Sequence, residues 1–130
     1  FIDANIFLEI FLKDEKSEAC KTFLRSFADN NSQAVTSDFI IYTCVIQIKN
    51  KLKSTSAIKN ALIFFSNFQG LKIVRPSLND VYNAVELMES SRLDFDDSLV
   101  VSAMKSNNVK ELASLDRDFD RIKGIERIKI

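Results

Sequence analysis

The stretch LDFDDSLVVSAMK, residues 93–105, decides how the rest of the chain is read. Asp94, Asp96 and Asp97 stand directly before an apolar run. The run has helical period: Asp97, Val100, Val101 and Met104 share one face, so Asp97 rides with the side that must be buried. Asp94 lies ahead of the helix, and Asp96 is turned from its neighbour by about 100°. One acid suffices as a cap, worth roughly 1 kcal/mol, and others gain about 0.3–1 kcal/mol each from the helix N-terminus. Two carboxylates about 4 Å apart repel by roughly 4 kcal/mol at an effective dielectric near 20, against about 1 in water. A solvated cluster is therefore tolerable, whereas one gathered in a cleft needs a cation. Asp97 reads as a ligand, with Asp94 or Asp96 as cap or outer support. Mg²⁺ or Mn²⁺ suits an all-oxygen site of this kind.

Outward from this helix, predicted over 96–106, short apolar runs alternate with amphipathic segments. FIDA (1–4) reads as a buried strand running into a helix, NIFLEIFLK, and as a strand already under way, so a residue or two is expected ahead of Phe1. Ala19, Phe23, Leu24 and Phe27 give Asp14–Asn30 a helical face. QAVTS (33–37) reads as a strand whose Ser37 caps the helix DFIIYTCVIQIKNKLK. Ser54 is expected to cap the next helix, with Ile58, Ala61, Leu62, Phe65 and Phe68 inward. GLKIV (70–74) is a strand closed by Pro76, and 78–91 a helix with Val81, Ala84, Val85 and Met88 on one face. ELASL (111–115) and IERIKI (125–130) are the last strands. The alternation predicts an α/β fold with a mostly parallel sheet. Two Gly, one Pro and no repeat predict a single domain over 1–130.

Composition narrows the chemistry. With 130 residues, 46% hydrophobic and 28% charged, the chain suits one globular domain with a real core. No apolar run reaches the roughly 18 residues of a membrane span, and Asp3 and Glu9 interrupt any signal-peptide pattern; a cytoplasmic protein is expected. Histidine is absent, which excludes Ser-His-Asp and Cys-His nucleophilic machinery and the commonest zinc ligand. Cys20 and Cys44, on apolar faces, read as buried reduced thiols. The net charge is zero, which weighs against a generic nucleic-acid binder, although local clusters can cancel in the total.

In open α/β sheets ligands bind beyond the carboxyl ends of the strands. Asp3 closes the FI pair, and Asp116 follows ELASL. Each also has a plain structural reading, Asp3 as cap of the helix beginning near Asn5 and Asp116 as cap of the turn DRDFDRI.

FIDANIF, LDFDDSLVVSAMK and ELASLDRDFDRIKGIERI, in that order and spacing, resemble the PIN domains, most closely the VapC-type toxins of toxin–antitoxin pairs. The resemblance covers essentially the whole chain. It implies a three-layer α/β/α sandwich with a central parallel sheet. It also implies a ribonuclease using Mg²⁺ or Mn²⁺ held by acids, and inhibition by a small antitoxin protein. Position by position, the family acids fall on Asp3, Asp97 and Asp116 as catalytic and metal-holding residues. Asn5, Ser37, Asp96 and Asp118 fall in supporting places. One departure stands out: where the family usually carries Glu, six residues beyond Ser37, this chain has Thr43, which can hydrogen-bond a water but brings no charge. Asp38, about 140° away on the helix, is a poor substitute. A weakened nuclease and a catalytically silent PIN-like module binding RNA or protein are thus both open.

RNA also needs cations. Lys49, Lys51 and Lys53 crowd one helix end, and Arg117, Arg121, Lys123, Arg127 and Lys129 lie near the C-terminus. Solvated helix ends account equally well for many of these. Arg117 and Arg121, nearest the acids, are the candidates for phosphate contact. A receiver-type signalling domain also gathers Asp around Mg²⁺, but its acid after the third strand is missing, since that strand ends IVRPS. Eleven Phe, with FF at 64–65, suggest either a homodimer or antitoxin surface or a phenylalanine-rich core.

Overall fold

A computed structural model of the chain describes residues 1–29 and 32–130. The helices are α1 (Ala4–Leu12), α2 (Ser17–Asp29), α3 (Asp38–Leu52), α4 (Thr55–Asn67), α5 (Leu78–Ser91) and α6 (Phe95–Ser106), with a 3₁₀ turn over Arg117–Arg121. The strands are β1 (Ala34–Ser37), β2 (Leu71–Val74), β3 (Glu111–Ala113) and β4 (Glu126–Ile128). The expected α/β alternation holds, with strands somewhat shorter than the sequence suggests. The second helix begins at Ser17 rather than Asp14, and its expected last residue, Asn30, lies outside the described residues.

Every strand pair is parallel. β1 runs beside β2 with Ala34 opposite Leu71, and β3 beside β4 with Glu111 opposite Glu126. Residues 1–3 join the two pairs. Ile2 N–H donates to the Val35 carbonyl at 2.8 Å, Ala113 N–H to the Phe1 carbonyl at 2.8 Å, and Asp3 N–H to the Ala113 carbonyl at 3.0 Å. The buried Thr36 hydroxyl adds a bond to the Ile2 carbonyl at 2.9 Å. The strand expected over 1–4 is thereby reduced to one bridge, Ile2 with Ala113. Asp3 is the reason: with φ −82 and ψ 161 it is the N-cap of α1, and its carboxylate accepts the Ala4 N–H at 2.6 Å. Ser37 and Ser54 cap α3 and α4 as expected, accepting from Ile40 and Ala57.

α1 packs on α2 and α3, α3 on α4, and α5 on α6, giving the α/β/α sandwich. α6 is buried continuously from Ser98 to Met104, with the small Ser98 and Ser102 enclosed among Leu99, Val100, Val101, Ala103 and Met104. Two expected faces need correction. On α5 the inward residues are Asp80 and Ala84, whereas Val85 and Met88 are exposed. Asp80 is tied into a capping box with Ser77, and its carbonyl accepts the Ser102 hydroxyl of α6 at 2.8 Å, so this edge of the helix is pinned inward. On α4 Leu62 is exposed, and Phe64 packs inward beside the expected Phe65. Their rings meet Phe7 and Phe11 edge-on at centroid separations of 4.8–6.3 Å. The FF pair therefore joins the phenylalanine-rich core, Phe65 buried and Phe64 partly so. Cys20 and Cys44 are buried free thiols, as expected. No helix among the described residues is long and apolar enough to cross a membrane.

Candidate acidic site

The chain reversals that make the sandwich bring three distant segments to one cavity of about 250 Å³. Asp3 arrives at the end of the central bridge, Asp94, Asp96 and Asp97 at the start of α6, and Asp116 just beyond β3; all five carboxylates line it. Thr43 and Gln47 of α3 line it as well, with an apolar wall that includes Leu8, Phe39 and Val100. Among the lining residues there is no Lys or Arg. No lining side chain compensates the negative charge.

Asp3 is the most constrained of the acids and is 7% exposed. Its Oδ1 accepts the Ala4 N–H, while Oδ2 accepts both the Asn5 amide at 2.7 Å and the Ser114 hydroxyl at 2.7 Å. Asn5 is itself fixed, donating to Ser114 Oγ at 3.0 Å and accepting the Leu115 N–H at 3.1 Å. Ser114 Oγ also accepts the Asp116 N–H at 3.1 Å, which links the first and last acids through one hydroxyl. Burial pushes the Asp3 carboxyl above its usual range. The hydrogen bonds from Ser114 and Ala4 oppose that shift, and the charge of Asp116 adds to it.

Asp97 is half-buried and, among the described residues, its carboxylate has no hydrogen-bond partner. Its carboxyl is pushed up to about 7, first by desolvation and then by the charges of Asp94, Asp3, Asp116 and Asp118. Asp96 is raised by desolvation and by Asp94. These shifts are what burial produces, with the unneutralised negative charge of one cleft adding to it.

The structural readings of the acids also hold. Asp94, not Asp96, caps α6, its Oδ1 accepting the Asp97 N–H at 3.0 Å. Asp116 caps the 3₁₀ turn, Oδ1 accepting the Asp118 N–H at 2.8 Å. A cap uses few of the roughly four acceptor positions of a carboxylate, so capping and lining are compatible. Among the described residues no three acidic or thiol groups stand as a ready coordination set. Hard oxygen donors fit Mg²⁺ or Mn²⁺ in kind, and without a counter-charge mutual repulsion favours this spread arrangement.

Several expected site residues lie elsewhere. Ser37 is buried as the α3 cap and does not line the cavity. The Asp118 carboxylate pairs with Arg121 at 3.5 Å, and Arg121 also donates to the Arg92 carbonyl at 3.3 Å. Arg117 faces a separate basic hollow of about 420 Å³ with Lys16, Arg127 and Lys129. There Arg127 is held by Asp120 at 2.7 and 2.9 Å and donates to the Ser114 carbonyl at 3.1 Å. Neither Arg117 nor Arg121 lines the acidic cavity. A larger apolar hollow of about 550 Å³ beside Phe64 and Leu24 holds no acid and offers no such chemistry.

Sequence reasoning missed Ser114, Phe39 and Gln47. Ser114 carried a signal, a small polar residue inside an apolar strand two places before an acid. Phe39 and Gln47 carried a weaker one, the spacing of four residues on either side of Thr43.

Comparison with known proteins bears on this geometry. The PIN domain family model matches residues 1–125. Among solved structures, the chain superposes on the Mycobacterium tuberculosis toxin VapC20, described as cleaving the sarcin–ricin loop, with TM-score 0.74 and 16% identity, covering 92% of both chains. It superposes on a chain of a Klebsiella pneumoniae toxin–antitoxin complex with TM-score 0.73 and 17% identity, covering 96% of this chain and 93% of the other. A third match is to VapBC2 of Rickettsia felis bound to a DNA fragment of its promoter, with TM-score 0.74, 20% identity and coverage of 98% and 95%. A search of curated proteins by sequence gives no match. The chain belongs to the PIN domain family, as its three motifs led one to expect.

Proposed function

We propose that the chain is a VapC-type endoribonuclease that hydrolyses RNA phosphodiester bonds at the acidic cavity. The observation that carries this is the convergence of Asp3, Asp97 and Asp116 on one cavity without a lining cation. Family membership and the likeness in fold to VapC toxins support the same reading.

Asp3, Asp97 and Asp116 would hold a Mg²⁺ or Mn²⁺ ion, which supplies Lewis-acid polarisation of the phosphoryl group and activation of water. The residues of the chain do the rest. Asn5 and Ser114 fix the Asp3 carboxylate so that it meets the ion without reorganisation. Asp94 holds the first turn of α6 and thereby sets where Asp97 projects. Asp96 adds negative charge at the rim. Thr43 gives the α3 side of the cavity a hydroxyl where the family more often has a carboxylate, so a bound ion would be held by fewer charges. Arg117 and Arg121, outside the cavity, would meet backbone phosphates of a bound RNA beyond the reacting one.

The remaining parts of the reading follow from it: residues 1–130 as one PIN unit, a small antitoxin protein as partner, a homodimer as the assembled form and the cytoplasm as the compartment. Exposed Tyr42, Ile46, Leu78 and Tyr82 supply apolar surface for such association.

The test is calorimetric titration of Mn²⁺ into the parent and Asp97→Asn, with cleavage of a structured RNA followed in the parent and Asp3→Ala. Binding and cleavage in the parent alone are expected. Negligible Mn²⁺ binding by both proteins, or cleavage that survives Asp3→Ala, removes the proposal.

A further inference from the structure

We infer that the wall of the acidic cavity facing the carboxylates is a nucleobase-reading surface, formed by Phe39, Thr43 and Gln47. This rests on the nuclease reading and extends it from the reacting phosphate to the base beside it. The three residues are spaced by four, so they lie one above another on a single face of α3. All three line the cavity that holds the five acids, and each is half-buried. A site that only held an ion would need its acids and no more. This cavity has an acidic side from the chain start, α6 and the segment after β3, and an uncharged side from α3 carrying an aromatic ring, a hydroxyl and an amide.

That composition matches the recognition of an unpaired base. Single-stranded RNA is read by stacking splayed bases on aromatic rings and bonding their polar edges. Phe39 is held in place by Phe95, edge-on at 6.4 Å and 87°, so its orientation is fixed before any ligand arrives. Gln47, two turns on, presents one donor group and one acceptor on the same amide, and among the described residues its side chain makes no hydrogen bond. On its Hoogsteen edge adenine offers the adjacent acceptor and donor that a glutamine amide pairs with, whereas guanine offers two acceptors on that edge. A phosphate drawn to the acids brings its flanking base to this wall. The surface is therefore assigned to a base next to the cleaved bond, with adenine favoured.

The experiment measures fluorescence anisotropy of four short homopolymeric RNAs on the parent, Phe39→Leu and Gln47→Ala. Ca²⁺ is present because it takes the same oxygen donors in a looser geometry. Phe39→Leu is expected to weaken all four by about tenfold, the scale of one lost stacking contact. Gln47→Ala is expected to remove the preference for oligoadenylate while leaving the other three within about twofold, since it removes edge contacts but not stacking. Phe39 also packs on Phe95, so melting curves accompany that variant; the half-exposed Gln47 tests the idea independently of the core. A ranking of the four RNAs that survives Gln47→Ala, or a parent without any ranking, overturns the inference. Cleavage with Mn²⁺ in the same preparations reports on the nuclease reading separately. Cleavage with an unaltered ranking defeats the base wall alone, and base-dependent binding without cleavage defeats the nuclease alone.

Discussion

The hydroxyl of Ser114 donates to Oδ2 of Asp3 at 2.7 Å, joining residues 111 positions apart. This bond sets the direction of the most deeply buried acid of the cavity. Ser114→Ala would leave Oδ2 of Asp3 with Asn5 alone and remove the acceptor of the Asp116 N–H. The expected cost is about 1–3 kcal/mol of stability, seen as a lower urea midpoint. Mn²⁺ affinity should fall by about 10–100-fold, as when an orienting partner of a metal ligand is lost. An unchanged affinity would show that Asp3 is oriented without this hydroxyl.

Asp97 gives a pH dependence whose sign is fixed by its raised carboxyl, from an ordinary 3.8 to about 7. A folded-state value above the unfolded one means the folded form binds the proton more tightly. The stabilising contribution is complete below about pH 4 and is lost as pH rises through about 7. Without added metal, Asp97→Asn should therefore match the parent at pH 4 and exceed it at pH 8. Half-exposure and solvent screening hold the gain to on the order of 1–2 kcal/mol. Mn²⁺ at pH 8 should reverse the order, because only the parent gains from binding. Melting temperatures at the two pH values, with and without Mn²⁺, give all four comparisons.

Thr43 lies on the α3 side of the same cavity and carries no charge. Thr43→Glu would place a further carboxylate opposite Asp3 and Asp97. The added charge should tighten Mn²⁺ by about tenfold, a gain of roughly 1.4 kcal/mol. It should also lower the melting temperature of the metal-free protein at pH 8, where like charges are least neutralised. RNA cleavage by the variant should rise with Mn²⁺ occupancy. Tighter metal binding without a faster reaction would assign Thr43 to substrate contact rather than to a missing ligand.

The order of elements was legible because period and punctuation agreed: Ser37, Ser54 and Asp94 sit where helices begin, and α6 shows its buried character in the apolar and small residues from Ser98 to Met104. The convergence of Asp3, Asp97 and Asp116 was legible for a topological reason, since parallel strands deliver their ends to one edge. What escaped depends on contacts between distant residues. The inward roll of α5 follows from Asp80 meeting Ser102, and the inward place of Phe64 on α4 from its ring meeting Phe7 and Phe11. Neither partner is visible from the helix's own pattern. Arg117 looked close to the acids by number, yet the 3₁₀ turn that Asp116 caps carries it to the basic hollow beside Arg127.

Gly70 shows how a turn remote from the acids supports them. It has φ +80, and its carbonyl accepts the Ala34 N–H at 2.9 Å, so it sets the register in which β2 meets β1. β1 ends at Ser37, the cap from which α3 and its Phe39, Thr43 and Gln47 face project. A Cβ at this position would lie 2.7 Å from the Ser32 carbonyl oxygen, which is backbone and has little freedom to yield. Gly124 has a similar φ of +83, but a Cβ there meets nothing within 4 Å. The pair separates conformational strain from collision. Gly124→Ala should cost only the left-handed penalty of roughly 1–2 kcal/mol. Gly70→Ala should cost that and more, about 2–4 kcal/mol, because the backbone must shift as well. Urea midpoints of the two variants measure the difference directly. Equal midpoints would mean that the 32–34 segment moves freely away from Gly70, and that the register of β1 is held by its other partners, Ile2 and Val74.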